Sequence, residues 1–228
     1  MKIYDRPGFP NSSRIRIVLA EKGLDDKVEF VSVDLIGAEH KQDAFLAKNP
    51  AGKIPVLELD DGTLISESTA ITEYLDNLDG NPTLTGKTPR EKAMIHMMQR
   101  RAEAELMDGV DGYFHYATPG LGAAMQPYVS PDWAGRQEWG RRQAAKAVRG
   151  MSYFEDVLKS RPFVAGETFS MADITVFASL NFADAAGIAL PEDCTSLAAW
   201  RTRVSALPSV KNRSGQQFLP EDLKRFGF

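Results

Sequence analysis

The sequence predicts an α/β domain followed by an all-helical domain, and two observations support this. In the first third of the chain, short strand-like runs and helical runs follow one another in the order β-α-β-α-β-β-α. After a stretch rich in Gly, Pro, Asn and Thr, apolar residues recur only at helical spacing. We therefore expect a first domain over 1–79, a linker over 80–89, a helical domain over 90–213 and a tail over 214–228.

The first domain is expected to begin with a strand over 2–4 and a loop over 5–11. Ser12 or Ser13 can cap the next helix, because a hydroxyl accepts hydrogen bonds from the first backbone N–H groups of a helix. Gly23 is a suitable end for that helix. A second strand is expected over 28–35 and a short helix over 40–47.

Residues 51–69 hold the most informative local pattern. Strand-forming runs over 56–59 and 63–65 flank an Asp-Asp-Gly turn, and residues 66–69 have the composition of a helix start. Helix N-termini attract carboxylates. Pro55 stands where a strand begins, and a cis Ile54–Pro55 bond would turn the Ile54 backbone towards a ligand. An ordinary capped hairpin and helix without a ligand is the alternative.

The rest of the chain is expected to be helical. Helices are predicted over 90–117, 132–160, 170–186, 197–206 and 209–213. Ser170 and Asp173 form an S-x-x-D capping box before an apolar run, which predicts a structural role for both. The tail either packs back on the protein or stays loose.

Composition narrows the class of protein. Of the 228 residues, 43% are hydrophobic and 25% charged, as in an ordinary globular protein. The net charge of −4 argues against nucleic-acid and membrane partners, and no signal peptide or membrane span is expected. Cys194 is the one cysteine, so no internal disulfide can form, which suits the cytoplasm. No metal-ligand spacing is present, so no metal is expected.

These motifs together resemble the cytosolic glutathione S-transferase superfamily. They are Ile54-Pro55 before a hairpin, Glu67-Ser68 opening a helix, and the capping box at 170–173. The segment 86–89 and the His-bearing segment 113–120 are most similar to a microbial branch that lacks the usual catalytic Tyr, Ser or Cys in the first loop. The resemblance implies a thioredoxin-like N-terminal domain and an all-α C-terminal domain.

The resemblance also implies a role for several residues in binding glutathione. Pro55 would be cis, and Ile54 would hold the cysteinyl backbone of glutathione. Glu67 and Ser68 would hold its γ-glutamyl end. His40 and Lys53 are candidates for the glycyl carboxylate. Glutathione would be a co-substrate, with no other cofactor.

Activation of the thiol is where this sequence departs from the family pattern. A free thiol is mostly protonated at neutral pH, so the enzyme must stabilise the thiolate or accept the proton. Phe9 occupies the usual catalytic position and has no hydrogen-bond donor. His115 and Asp111 lie one helical turn apart, and a carboxylate can orient an imidazole that holds a water molecule or accepts a proton. Backbone N–H groups of the first helix, or Ser12 and Ser13, are the alternatives.

We therefore expect a cytoplasmic, homodimeric glutathione transferase that conjugates glutathione to small hydrophobic electrophiles. Phe9, Pro10 and Tyr116 would line the electrophile pocket, and peroxidase activity is a further option. The alternative is a non-catalytic ligand- or protein-binding module, which the lack of a donor at Phe9 favours. Thiol-disulfide reductase chemistry is disfavoured, because the first loop has no cysteine.

Overall fold

A computed structural model describes residues 1–128 and 136–226 of the chain. These residues form two compact units, one comprising 1–75, 121–128 and 213–226, and the other comprising 76–120 and 136–212. The predicted start of a helix at residue 132 lies outside the described residues. In the described part, no helix is both long and apolar enough to span a membrane.

The first unit contains the predicted four-stranded sheet. Its strands are β1 (Lys2–Asp5), β2 (Glu29–Ser32), β3 (Val56–Glu58) and β4 (Leu64–Ser66). Their order is β2-β1-β3-β4, with β1 parallel to β2 and β3 antiparallel to both of its neighbours. Ile3 pairs with Leu57 across β1 and β3, and both are fully buried in the core. This mixed sheet confirms the predicted α/β domain.

Three α-helices accompany the sheet: α1 (Pro10–Lys22), α2 (Asp43–Leu46) and α3 (Ser68–Asn77). The prediction that Ser12 or Ser13 caps α1 was wrong. The helix begins at Pro10 after Phe9, without a side-chain cap. Proline suits this position, because it has no N–H to satisfy and its φ is already helical. Gly23 ends α1 at a φ of 62°, as predicted.

The predicted helix over 90–117 is observed with an irregular middle. It consists of α4 (Pro89–Arg101), a π-helical segment (Ala102–Met107) and α5 (Asp108–Ala117). Thr88 and Glu91 form a capping box at the start of α4. The next long helix, α6 (Arg136–Leu158), packs closely on this region. A Cβ added at Gly150 would lie 2.5 Å from the carbonyl oxygen of Glu105, so only glycine permits this approach.

The second unit is completed by α7 (Met171–Ala186), α8 (Thr195–Ser205) and α9 (Pro208–Lys211). The predicted capping box starts α7, since Asp173 accepts hydrogen bonds from both the backbone N–H and the hydroxyl of Ser170. Asp173 also accepts from the indole of the fully buried Trp200, at 3.1 Å. Ser170 and Asp173 therefore have the structural role that was predicted.

The described part of the C-terminal tail belongs to the first unit and includes α10 (Pro220–Phe226). Asp222 is fully buried, although its helix is short and largely polar. The sequence left open whether this tail packs or stays loose, and the structure shows that it packs.

Candidate functional site

Three segments of the first unit meet at one edge of its sheet. Tyr4 pairs with Val56, and Val56 pairs with Ser66. The loop after β1, the residues before β3 and the start of α3 therefore lie at the same edge. This edge brings together Phe9, the Ile54–Pro55 pair and the Glu67–Ser68 pair. These residues lie up to about sixty positions apart in the sequence.

The loop before β3 is held in shape by its own polar side chains. The Ile54–Pro55 peptide bond is cis, and Ile54 is 8% exposed. The buried Asn49 amide donates to the carbonyl of Lys53 at 2.8 Å, and the Lys41 ammonium donates to the carbonyl of Gly52 at 2.8 Å. These hydrogen bonds fix the conformation of the loop, so the backbone groups next to Pro55 have defined positions.

Two lysines place positive charge on this loop. Burial and the nearby Lys53 ammonium lower the pKa of Lys41. Two neighbouring ammonium groups repel each other, so an anion bound beside them would be stabilised. His40 is only 4% exposed and is thus enclosed by protein. Lys41, which was not among the site residues predicted from the sequence, presents its charge here beside Lys53.

The start of α3 has an unusual backbone. Glu67 has a φ of 71°, in the left-handed region, and its carbonyl accepts from the N–H of Ile71 at 3.0 Å. A non-glycine residue in this region costs about 1–3 kcal/mol, and such residues cluster at ligand sites. The Glu67 side chain is exposed, whereas Ser68 is buried.

A buried arginine, also missed from the sequence, joins α1 to the start of α3. The Arg14 guanidinium donates to Asn11 at 3.1 Å and to Thr69 at 3.3 Å, and Arg14 is 5% exposed. It places a positive charge behind the first turn of α3, where a carboxylate is favoured by the helix dipole as well. No local sequence pattern distinguishes Arg14 from an exposed residue of α1.

The first loop holds two of the apolar residues that the sequence predicted for the electrophile pocket. Phe9 is 9% exposed, and Pro10 is partly exposed. Ser12 is fully buried and accepts from the Arg6 backbone N–H at 3.1 Å, while Ser13 accepts from Arg213 at 2.9 Å. Both hydroxyls are engaged inside the protein, which weighs against either acting on a ligand sulfur.

An open cavity elsewhere in the first unit contains no residue that the sequence predicted for the site. Its volume is about 520 Å³, and Pro7, Arg16, Gly215, Gln216, Gln217 and Leu219 line it. Among the described residues, no group of three or more His, Cys, Asp or Glu side chains could hold a metal ion.

The predicted catalytic pair lies on α5 in the second unit. His115 Nε2 is 3.4 Å from Asp111 Oδ1, and the two side chains are 36% and 50% exposed. With Nε2 facing a carboxylate, the proton is expected on Nε2, and Nδ1 is then the lone-pair acceptor. A Cβ at Gly120 would lie 3.6 Å from Nδ1, an ordinary van der Waals distance, so Gly120 borders that side of the ring.

The aromatic residue next to His115 belongs to a small cluster. Tyr116 packs edge-on against Trp139, with 4.9 Å between ring centroids, and the Arg136 guanidinium lies 5.2 Å from the centre of the Tyr116 ring. Trp139 is 48% exposed. The cluster is therefore a partly exposed apolar surface of the second unit.

Comparison with known proteins identifies the family. The model of the glutathione S-transferase N-terminal domain matches residues 10–78, and that of the C-terminal domain matches residues 137–203. Over 211 residues the chain is 57% identical to glutathione S-transferase 2 of Saccharomyces cerevisiae, covering 92% of this chain and 88% of the relative. The chain therefore belongs to the glutathione S-transferase family.

Solved structures agree in both fold and sequence. The crystal structure of Gtt2 from Saccharomyces cerevisiae matches with a TM-score of 0.89 and 57% identity, over 93% of this chain and 99% of that one. A glutathione S-transferase domain-containing protein from Marinobacter aquaeolei matches with a TM-score of 0.85 and 50% identity, over 92% of this chain and 100% of that one. The predicted architecture, a thioredoxin-like domain and a helical domain, is confirmed.

Proposed function

We propose that this glutathione transferase binds glutathione at the sheet edge where the first loop, the cis-proline loop and the start of α3 meet. The observation that carries the proposal is the strand register, which pairs Val56 with both Tyr4 and Ser66. It brings a braced backbone, an exposed carboxylate and a helix N-terminus to one place. An extended peptide-like ligand with charged ends needs this combination.

Each part of glutathione has a group of suitable chemistry at this edge. The Ile54 backbone can form hydrogen bonds with the cysteinyl residue. The Glu67 carboxylate suits the γ-glutamyl ammonium, and Ser68 at the start of α3 suits the neighbouring carboxylate. Lys53, together with Lys41, suits the glycyl carboxylate, and His40, which precedes Lys41 in the chain, is a further candidate for it.

The proposed reaction is nucleophilic conjugation. The thiol loses its proton, and the sulfur then attacks an electrophilic carbon, so that a C–S bond forms and a group such as halide leaves. Phe9 and Pro10 are proposed to line the pocket for a small hydrophobic electrophile, with Tyr116 as a further lining residue. We propose that His115 accepts the thiol proton, directly or through a water molecule, and that Asp111 orients its ring.

A direct test is calorimetric titration with glutathione and, in parallel, with glutathione whose glycyl carboxylate is an amide. A standard aryl-halide conjugation assay accompanies both. We expect binding and turnover with glutathione, and weaker binding of the amide, because it lacks the charge that the two lysines attract. Equal affinity for both ligands would contradict the lysine assignment. No binding at millimolar glutathione would contradict the site itself.

The second candidate, a non-catalytic binding module, is favoured by one observation, namely that Phe9 carries no donor for the sulfur. The same samples separate the two functions. Glutathione binding without conjugation of any electrophile in a small panel of aryl halides and organic hydroperoxides would support the binding module.

The role of His115 has its own test. In His115→Ala we expect the pKa of the enzyme-bound glutathione thiol to rise and kcat to fall by about 10²–10⁴-fold, the usual contribution of a general base. The thiolate is followed by its ultraviolet absorbance as pH changes. His96→Ala is the matched control, since His96 is also exposed and lies on α4 of the same unit. An unchanged thiol pKa in His115→Ala would rule out this role.

Oligomeric state and location are also proposals. The exposed Met97 on α4, 39% accessible, suits a helix that packs against a second copy of the chain. Sedimentation velocity would test for the homodimer. A cytoplasmic location is supported by the single, buried cysteine, Cys194.

A further inference from the structure

The C-terminal segment, defined as residues 213–226, lies directly on the first loop. The N–H of Gly8 donates to the carbonyl of Gly215 at 3.1 Å. A Cβ at Gly8 would be 2.5 Å from the backbone nitrogen of Phe218, so the two backbones touch. The ring of Phe218 meets the ring of Phe9 edge-on, with 5.1 Å between centroids. These contacts therefore restrict the positions that the first loop can occupy.

A buried ion pair anchors the segment beside the loop. Arg6 donates to Asp222 through Nε and Nη2, both at 2.7 Å, and the two side chains are 8% and 0% exposed. The hydrogen bond to Asp222 raises the pKa of Arg6. Arg6 also donates to Ser32 through Nη1, at 2.8 Å, and its backbone N–H donates to Ser12, at 3.1 Å. One residue thus ties the segment to β2 and to the first turn of α1.

A second set of contacts joins α1 to the start of the C-terminal segment, at residues 213 and 214. Arg213 donates to Ser13 at 2.9 Å, and Arg16 donates to Ser214 at 2.9 Å. Arg16 is itself held by Asp5, which accepts from it at 2.7 and 3.0 Å. Burial and the nearby Arg16 lower the pKa of Arg213 to about 10. The start of α1 is therefore clamped by groups far away in the sequence.

An exposed ion pair on the same segment provides a contrast. Arg225 Nη1 lies 2.6 Å from Asp34 Oδ1, but the side chains are 44% and 33% exposed. Solvent screens such a pair, so it contributes little to position or stability.

We propose that the C-terminal segment is a positioning element for the thiol end of the glutathione site, acting through Phe218 and Asp222. The inference rests on the proposed function, in which the sulfur lies at the first loop. Since Phe9 has no donor, backbone N–H groups at the start of α1 are the hydrogen-bond donors that the first loop offers to the thiolate, whose proton His115 accepts in the proposed function. Their strength as donors depends on direction, and misplacement by about 1 Å can cost up to a hundredfold in rate. Holding the loop still is the contribution of the segment.

The test compares full-length Phe218→Ala and Asp222→Asn with the matched control Arg225→Gln. All proteins are checked for folding by circular dichroism and are studied well below their melting temperatures. Glutathione affinity, kcat and KM with an aryl halide, and the pKa of the bound thiol are measured. We expect Phe218→Ala to weaken glutathione binding about tenfold or more and to raise the thiol pKa. Arg225→Gln should match the wild type, and Phe218→Leu should recover part of the loss.

The affinity for glutathione and the thiol pKa of Phe218→Ala separate a positioning role of the segment from a purely structural one. If folded Phe218→Ala has the affinity and thiol pKa of the wild type while only its melting temperature falls, the segment is merely structural and the inference is overturned. Should Asp222→Asn fail to fold, Phe218→Ala still decides, because its side chain is only partly buried. If the wild type itself binds no glutathione, the proposed function fails first, and the inference fails with it.

Discussion

Asp76, at the end of α3, offers the sharpest stability test. It is fully buried and accepts hydrogen bonds from the backbone N–H groups of Thr83, Leu84 and Thr85 at 3.0, 2.9 and 2.8 Å. The hydroxyl of Thr85 adds a fourth at 2.7 Å. One carboxylate thereby fixes the chain at 83–85, within the stretch predicted to be a linker. The proposed perturbation is Asp76→Asn.

The expected loss follows from these contacts. The amide replaces one acceptor oxygen by an NH₂ group, which leaves buried N–H donors facing another donor. Each unsatisfied buried donor costs about 1–3 kcal/mol, so we expect a loss of about 2–4 kcal/mol in the free energy of unfolding at neutral pH. That is a large part of the stability of a typical domain.

The pH dependence gives an independent check. Burial raises the pKa of Asp76, but the hydrogen bonds from Thr83, Leu84 and Thr85 outweigh it, so the pKa lies below its ordinary value of 3.8. A carboxylate with a depressed pKa stabilises the folded state above its unfolded pKa, and this stability is lost as pH falls through the folded pKa. The gap between the wild type and Asp76→Asn should therefore narrow on acidification.

Urea unfolding followed by tryptophan fluorescence at pH 7 and in acid measures both effects. Asp79→Asn is the matched control. Asp79 is exposed and accepts from the N–H of Asn81 at 2.9 Å, so its replacement should change stability by less than about 0.5 kcal/mol. A loss below about 1 kcal/mol in Asp76→Asn, or a gap that stays constant with pH, would refute the reasoning.

Two further predictions concern the second unit. Burial raises the pKa of Asp173 to about 6, from an ordinary 3.8. The folded state thus binds this proton more tightly, and the contribution of Asp173 to stability should decrease by about 2 kcal/mol as pH rises from 4 to 7. Urea midpoints of the wild type and Asp173→Asn should differ more at pH 4.5 than at pH 7, and a gap that widens with rising pH would contradict this. Gly150→Ala should destabilise by about 1–3 kcal/mol, because its Cβ would lie 2.5 Å from a backbone oxygen. In thermal melts, Ser152→Ala, at an exposed position of the same helix, should be nearly neutral, and equal melting temperatures for the two variants would count against close packing at Gly150.

Local patterns were enough to predict most elements and the family. The Asp-Asp-Gly turn, the capping box at Ser170 and Asp173, and the helix end at Gly23 are signals carried by a few neighbouring residues, and the structure confirms all three. Ser12 shows the limit of such signals. A hydroxyl can cap a helix, but Pro10 can start one two residues earlier, and only the packed loop decides between them.

The sequence by itself determined the fold class and the two-part architecture, because these follow from periodicity, turn chemistry and short motifs. The residues on the cis-proline loop were predicted from a resemblance to a known family. The tertiary structure alone decided that Asp222 is buried against Arg6, 216 positions away. It likewise decided that Lys41 donates to the carbonyl of Gly52 and that Arg14 reaches Thr69. The sequence around a charged residue does not reveal its distant partner, since burial and pairing depend on which segments the fold brings together.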